Sequence, residues 1–531
     1  MIFMGAFPEA QYAIDEILQG ITLGQVTGIP PQNMKSFTVT SRNGAALLRW
    51  QLPDDTIIDG QTICTAKGVK ILRKAVSAPQ TIDDGDVIGD YIGDGQYEDT
   101  GLTNGVTYYY AAFPHSDHGV YNFNPVNVRK VVPSDARFWA FDQNFSDKNP
   151  STTITYPAGY ENENYSPMHT NEGTGTVTAG GWADFLENIL QNKPAMVRKN
   201  GQLDYWLDPD DYTKKLDGTA SDYNNTSYDG GAFAWIKKIW IKEEYASDGN
   251  SRRVIFSDKA SDGFTPMGFI DFNDQEIEGI WLPMGYMDDN GRTLIAGTAP
   301  NGSKTNDQER ALITAFSSRA INLGGSAIHL LRDLEYMIFK STDIQLKAGH
   351  GNCNSYVSST NTGVKNNAVV PNGLVRGWKG TSDKKTLNKY FHSQVLGSYQ
   401  LWLRDPYSLL VNTVFKASPH YKYDPTGDSY ISAALSVPNQ SVGPNYPTHL
   451  KNVSNDYGSE IVFHNTASSS TGLCDAFWST PSGTMMARRL GYTYRDLDDG
   501  PAALVVNSAA SNASWDYGVA ICLLPEPGYE P

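Results

Sequence analysis

Carboxylates, imidazoles and thiols are the groups in this chain that could do chemistry. Asp208, Asp210 and Asp211 lie together, and Asp496, Asp498 and Asp499 form a second cluster. Two carboxylates at a set separation can hydrolyse a glycosidic bond. The chain is rich in acids, however, and Asp beside Gly or Pro usually builds turns. The run Asp496-Leu497-Asp498-Asp499-Gly500 could offer oxygens to calcium but lacks the later Glu of an EF-hand loop. Calcium is therefore not supported, and no cofactor is expected. His115 and His118 stand at HxxH spacing, in what reads as the loop Pro114 to Tyr121. Two imidazoles alone make a poor metal site. Cys64, Cys353, Cys474 and Cys522 are widely spaced without a CxxC, so a zinc site is not supported and buried free thiols are expected.

A better pattern lies in the C-terminal stretch, where Trp478, Tyr492, Tyr494, Arg495, Asn507, Asn512, Trp515 and Tyr517 cluster. Aromatic rings and Arg give large contact area with few rotors to freeze, and Asn gives adaptable hydrogen bonds. These eight residues are the expected ligand-binding face. The competing expectation for each ring is ordinary core packing.

The elements that must position them follow from apolar patterning. Ala502 to Val506 and Val519 to Leu524 read as two strands joined across the polar loop Asn507 to Ser514. Upstream, the spacing predicts helices over Gln308 to Ile321, capped by Asn306-Asp307, and over Ser326 to Phe339. Their inward faces are Ala311, Leu312, Ala315 and Phe316, and Ile328, Leu331, Leu334, Met337 and Ile338. Lys193 to Leu207 reads as a hairpin around Asn200-Gly201. Residues 417–470, rich in Ser, Asn, Pro and Tyr, read as loops that decorate a scaffold.

The chain has 531 residues, too many for one ordinary core. Residues 1–34 read as a short amphipathic helix and linker for attachment or oligomerisation. Residues 35–132 read as an all-β sandwich, residues 133–192 as a connecting segment with a short helix from Trp182 to Leu190, and residues 193–531 as the recognition domain. The fold class is mainly β with an α+β C-terminal domain. With 42 Lys plus Arg against 58 Asp plus Glu, the net charge of -16 repels nucleic acid and anionic membranes. The N-terminus lacks a basic n-region, and no apolar run is long enough to cross a membrane as a helix.

Three resemblances sharpen this reading. Trp50 followed by Pro53, and the Leu102 to Tyr108 spacing, resemble a fibronectin type III domain. Lys193-Pro194 with Asn200-Gly201, Leu207 to Asp211, Ile239-Trp240 and Ser257-Asp258-Lys259 resemble tail-associated proteins of phages and prophages of gut-type bacteria. Ser508 to Leu523, SAASNASWDYGVAICL, resembles the closing motif of the C-type-lectin-like fold shared by formylglycine-generating enzymes and phage variable receptor-binding proteins. That oxidase needs a cysteine pair shortly before this motif, and Gly491 to Asp496 has none, so no enzymatic activity is expected. The calcium-lectin signature is missing too: Val437-Pro438-Asn439 has no acid before its Pro-Asn.

The resemblance implies a virion protein, assembled in the host cytoplasm. It would bind a bacterial surface glycan or protein, contact other virion proteins through its N-terminal segment, and form a homo-oligomer, with a trimer favoured. In some relatives a retroelement diversifies the final segment. The alternative is a structural virion component, such as a head fibre or tail decoration, without a host ligand.

Overall fold

The computed structural model describes residues 28–529, except 59, 125–126, 148, 150–151, 171–176, 293–298, 341–390, 394, 397–400, 463–472, 474 and 492–499. The expected N-terminal helix, Ala10 to Ile21, lies outside the described residues. Strand exceeds helix, 44% against 8%, so the chain is mainly β. It divides into two compact units, Met1–Arg137 and Phe138–Pro531.

The first unit is built from nine strands: β1 (Ser36–Arg42), β2 (Ala45–Gln51), β3 (Thr56–Ile58), β4 (Gln61–Cys64), β5 (Ala66–Ala75), β6 (Asp86–Ile92), β7 (Gly95–Thr100), β8 (Tyr108–Ser116) and β9 (Val128–Val131). Among the described residues one sheet has the order β1-β2-β7, a second β6-β5-β8-β9, and β3 pairs with β4 alone. Asn43-Gly44 supplies the two-residue turn from β1 to β2, with Gly44 at φ +61, which a two-residue hairpin favours. Period-two alternation then points Phe37, Leu48 and Trp50 at Val69, Ile71 and Tyr110, and these form the core. Asp99 on β7 accepts from Arg73 Nη1 at 2.9 Å and from Tyr110 Oη at 2.5 Å, which ties the two sheets across that core. Tyr108 Oη accepts the Thr103 N–H at 3.2 Å and closes the corner before β8.

The second unit begins at Phe138, so residues 133–192 are not the connecting segment expected. Strand Phe138–Asn144 is interior to a four-stranded sheet ordered Ile154–Thr155, Phe138–Asn144, Ser251–Ser257, Trp240–Tyr245. Trp139, Trp182 and Phe185 belong to its main core. The pairing partners lie about a hundred residues downstream, so no local pattern could have announced the join. The expected helix is a short π-helical turn, Phe185–Ile189.

The unit also holds two larger sheets, besides two-stranded pairs. The seven-stranded sheet runs Asp211–Lys215, Leu203–Asp208, Lys193–Arg198, Gly230–Lys237, Gly279–Pro283, Ile521–Leu523, Ala320–Asn322. The eight-stranded sheet runs Ile431–Ser436, Val414–Ala417, Trp402–Val411, Thr484–Leu490, Gly500–Ser508, Phe477–Ser479, Gln440–Asn445, with Tyr517–Gly518 pairing in parallel beside Trp402–Leu403. Strands Gly500–Ser508 and Ile521–Leu523 match the two expected on either side of the polar loop, but they do not pair with each other. They belong to different sheets, and the loop between them crosses from one to the other. Residues 417–470 also depart from expectation. They supply four short strands, and Tyr421, Leu435, Leu450, Tyr457 and Ile461 are core.

The helix Asn306–Phe316 is capped by Thr305 rather than Asn306-Asp307. Its hydroxyl accepts the Gln308 N–H, and the Gln308 side chain accepts the Thr305 N–H, a capping box. It stops five residues before the predicted end, because Ala320–Asn322 is drawn into a sheet. Its buried face is Asn306, Glu309, Ile313 and Phe316.

The helix Gly325–Phe339 is buried on every side, not on one face. Its polar residues survive burial because each meets a charge or dipole. Arg252 forks onto both oxygens of Asp333 at 2.7 and 3.2 Å. Arg332 donates to Asp333 at 3.1 Å, to the Ser459 carbonyl at 2.8 Å and to His329 Nδ1 at 2.9 Å. Burial, then the neighbouring guanidiniums of Arg332, Arg489 and Arg252, push His329 well below the usual imidazole range and keep it neutral.

Candidate functional site

The C-terminal loop is the part of the predicted face that the structure places best. It leaves strand Gly500–Ser508, spans residues 509–516 and re-enters at Tyr517–Gly518. Four of its carbonyls are fastened from below. Ala510 accepts the Asn306 N–H at 3.0 Å, Ser514 the Ser303 N–H at 2.8 Å and Asp516 the Trp402 N–H at 2.8 Å. The Asn512 carbonyl accepts from Arg404 Nη1 and Nη2 at 3.4 and 3.3 Å. The loop's own side chains take no part in these four bonds. Ser511, Asn512 and Ala513 stand exposed at the crest, with Trp515 half-buried beside them.

Two guanidiniums support the loop. Arg404, itself buried, also donates to the Lys304 carbonyl at 2.7 Å and pairs with Glu309 at 2.6 Å. Its guanidinium lies 5.1 Å from the Tyr517 ring centre, and that of Arg488 lies 4.1 Å from the same ring. Arg488 donates to Asn507 Oδ1 at 2.6 Å and to Ser508 Oγ at 3.0 Å. Ser508 and Tyr517 hydroxyls meet at 3.1 Å. Burial lifts the Glu309 carboxyl to about 7, against the pull of Arg404.

The eight predicted residues separate into three groups. Tyr492, Tyr494 and Arg495 lie outside the described residues, as does the Asp496–Asp499 run. Asn507, Asn512 and Trp515 sit on or at the foot of the loop, within reach of solvent. Trp478 and Tyr517, expected as exposed stacking rings, are only 5% and 8% exposed. They pack with Trp402, Ala476, Ala503 and Val505, and the Trp478 indole N–H donates to the Gly443 carbonyl. For these two rings the packing expectation holds, because strands from distant parts of the chain close over them.

Sequence reasoning missed Arg404, Arg488 and Glu309. A signal was present: Arg404-Asp405 and Arg488-Arg489 each put adjacent charges among apolar strand residues, and a charge there must find a partner.

The other chemical candidates resolve into structure. Asp208 Oδ1 accepts the N–H groups of Asp210 and Asp211 at 2.8 and 3.2 Å, the geometry of a turn. His115 is on β8 rather than in a loop and meets Asp90 at 2.8 Å, while His118 lies 3.7 Å from Asp117. Cys64 and Cys522 are buried free thiols, and burial pushes the Cys522 thiol upward, which leaves it inert. Among the described residues no group of three His, Cys, Asp or Glu side chains could hold a metal ion, and no helix is long and apolar enough to cross a membrane.

What the arrangement offers is a loop whose backbone is held while its crest side chains are not. Such a loop can present hydrogen-bonding groups to a ligand at low ordering cost. No family model matches the chain, and no curated protein matches it.

Proposed function

We propose that this chain is a phage virion protein that recognises the host cell surface through the loop 509–516. The carrying observation is the anchoring of that loop by its own carbonyls, through Asn306, Ser303, Trp402 and Arg404. Side chains at 511–513 can change without disturbing those bonds, which suits a recognition surface and a segment open to diversification. Residues 35–132 are read as a fibronectin type III-like spacer. The β1-β2-β7 and β6-β5-β8-β9 sheets and the Tyr108–Thr103 hydrogen bond support this. The second unit is read as lectin-like, supported by two helices beside mainly antiparallel sheets and a C-terminal strand inside one of them. The reading is non-enzymatic, with a bacterial glycan or protein as ligand, and with avidity from a homotrimer strengthening weak single contacts.

Burial of Trp478 and Tyr517 favours a second reading, a structural virion component, because it removes two stacking platforms. Binding of the full chain, clustered on beads, to a panel of bacterial strains separates the two. Saturable binding to some strains, lost in Asn512→Arg with unchanged melting, supports recognition. Binding to no strain supports the structural component.

A further inference from the structure

The four-stranded sheet of the second unit turns one face to the core and the other outward. Phe141, Gln143, Arg252 and Val254 are buried on the inner face. On the outer face Thr155, Asp142, Arg253 and Glu244 line up in a single row across all four strands, by the pairings Thr155↔Asp142, Asp142↔Arg253 and Arg253↔Glu244. Asn144 and Asn250 flank this row, and together these side chains border an open groove of about 670 Å³.

The middle of the row is rigid. Arg253 donates from Nε and Nη2 to the two oxygens of Asp142 at 2.6 and 2.7 Å, and its guanidinium lies 5.7 Å from the Tyr160 ring centre. Both partners are about one-third exposed, so their remaining donors and acceptors reach solvent from a fixed plane.

We infer that this groove, on the outer face of the sheet that carries Asp142 and Arg253, is a binding site for a neutral oligosaccharide. A sugar hydroxyl both donates and accepts, and a held Arg–carboxylate fork offers both complements side by side. The rest of the lining supplies neutral hydroxyls and amides at the spacing of neighbouring strands. The charged lining argues against an anionic ligand. Asp142, Glu244 and Asp248 share the lining with Arg253, while Arg252 is buried and committed to Asp333, so no surplus positive charge remains. A peptide would need an apolar pocket for an anchoring side chain, and the lining is mostly polar. The volume lies within the usual range of small-molecule sites, about 300–1,000 Å³. This site stands apart from the loop 509–516 and does not depend on its role.

The test uses the full chain and fluorescently labelled neutral oligosaccharides of glucose, galactose, mannose and N-acetylglucosamine, read by anisotropy. At least one should bind with a Kd of about 1 mM or tighter. Thr155→Trp places a good strand former on the exposed row and fills the groove without touching the core. It should melt like the parent and weaken binding by about tenfold or more. Arg253→Lys keeps the charge, loses the fork and should weaken binding as well. Asn512→Arg should leave it unchanged, so loss of cell binding and loss of sugar binding are separate results. Binding to none of the sugars, undiminished binding by Thr155→Trp, or binding of a hexalysine peptide in their place would overturn the inference.

Discussion

Arg488 lies over the Tyr517 ring at 4.1 Å and donates to Asn507 Oδ1 at 2.6 Å. One side chain thus joins the end of the strand before the C-terminal loop to the residue after it. Arg488→Met should remove a desolvated cation–π contact and a charge-assisted hydrogen bond, costing about 2–4 kcal/mol. Tyr517→Phe keeps the ring and loses only the hydroxyl contact with Ser508, costing about 1 kcal/mol. Urea denaturation of the three chains measures both. Equal costs for the two variants would show that the ring is not what Arg488 holds.

Asp405 is a second such anchor, deeper in the unit. It accepts from the Gly325 N–H at 3.0 Å, at the start of the buried helix, and from Arg489 Nε at 2.7 Å. Gly324 and Gly325 let the backbone come this close. A Cβ at Gly324 would lie 2.6 Å from Asp405 Oδ1, and Gly325 sits at φ +56. Asp405→Ala would leave Glu460 as the one carboxylate paired with Arg489 among the described residues and the helix start uncapped, for a loss of about 3–5 kcal/mol. A thermal melt within a degree of the parent would refute this.

Glu309 should make stability depend on pH. Its folded value, about 7, lies above the ordinary 4.5. The stability it contributes is full below pH 4.5 and is lost as pH rises through 7, because the unfolded chain ionises more readily. The difference corresponds to roughly 3 kcal/mol. Glu309→Gln cannot titrate, so its stability relative to the parent should climb over that window. Urea midpoints of both chains at pH 4, 6 and 8 give the result, and parallel curves would count against the shift.

Gly201 is predicted to tolerate no side chain. It sits at φ +89, and an added Cβ would stand 2.3 Å from the Leu524 carbonyl. Its own carbonyl accepts the Trp281 indole N–H at 3.1 Å. Gly201→Ala must therefore push the hairpin off the C-terminal strand, with an expected loss of about 2 kcal/mol or more. Hydrogen exchange at Ile521–Leu523 should quicken in the variant. Unchanged exchange would mean the strand does not lean on this turn.

Local patterns carried much of the fold. Phe37, Leu48, Trp50, Val69, Ile71 and Tyr110 lie in apolar strand runs, and they share the core of the first unit. The period of Ile328, Leu331 and Leu334 placed the buried helix. The site was less legible. Trp478 and Tyr517 carry the composition of a recognition surface, but exposure depends on what covers a residue, and their covers come from positions 402 and 503–505. Arg404 and Arg488 had only the oddity of adjacent charges, Arg404-Asp405 and Arg488-Arg489, among apolar strand residues to mark them.

The sequence by itself determined the predominance of strand, the helix Gly325–Phe339, the turn at Asn200-Gly201 and a net charge of -16. These follow from side-chain period, backbone preference and net charge, each a property of neighbouring residues or of the whole sum. Tertiary structure alone decided that residues 138–144 join residues 251–257, that the last two strands part into separate sheets, and that the C-terminal loop rests on Arg404 and Arg488. Those outcomes are pairings between distant segments. A strand's apolar pattern says that it will be covered, but not by which partner.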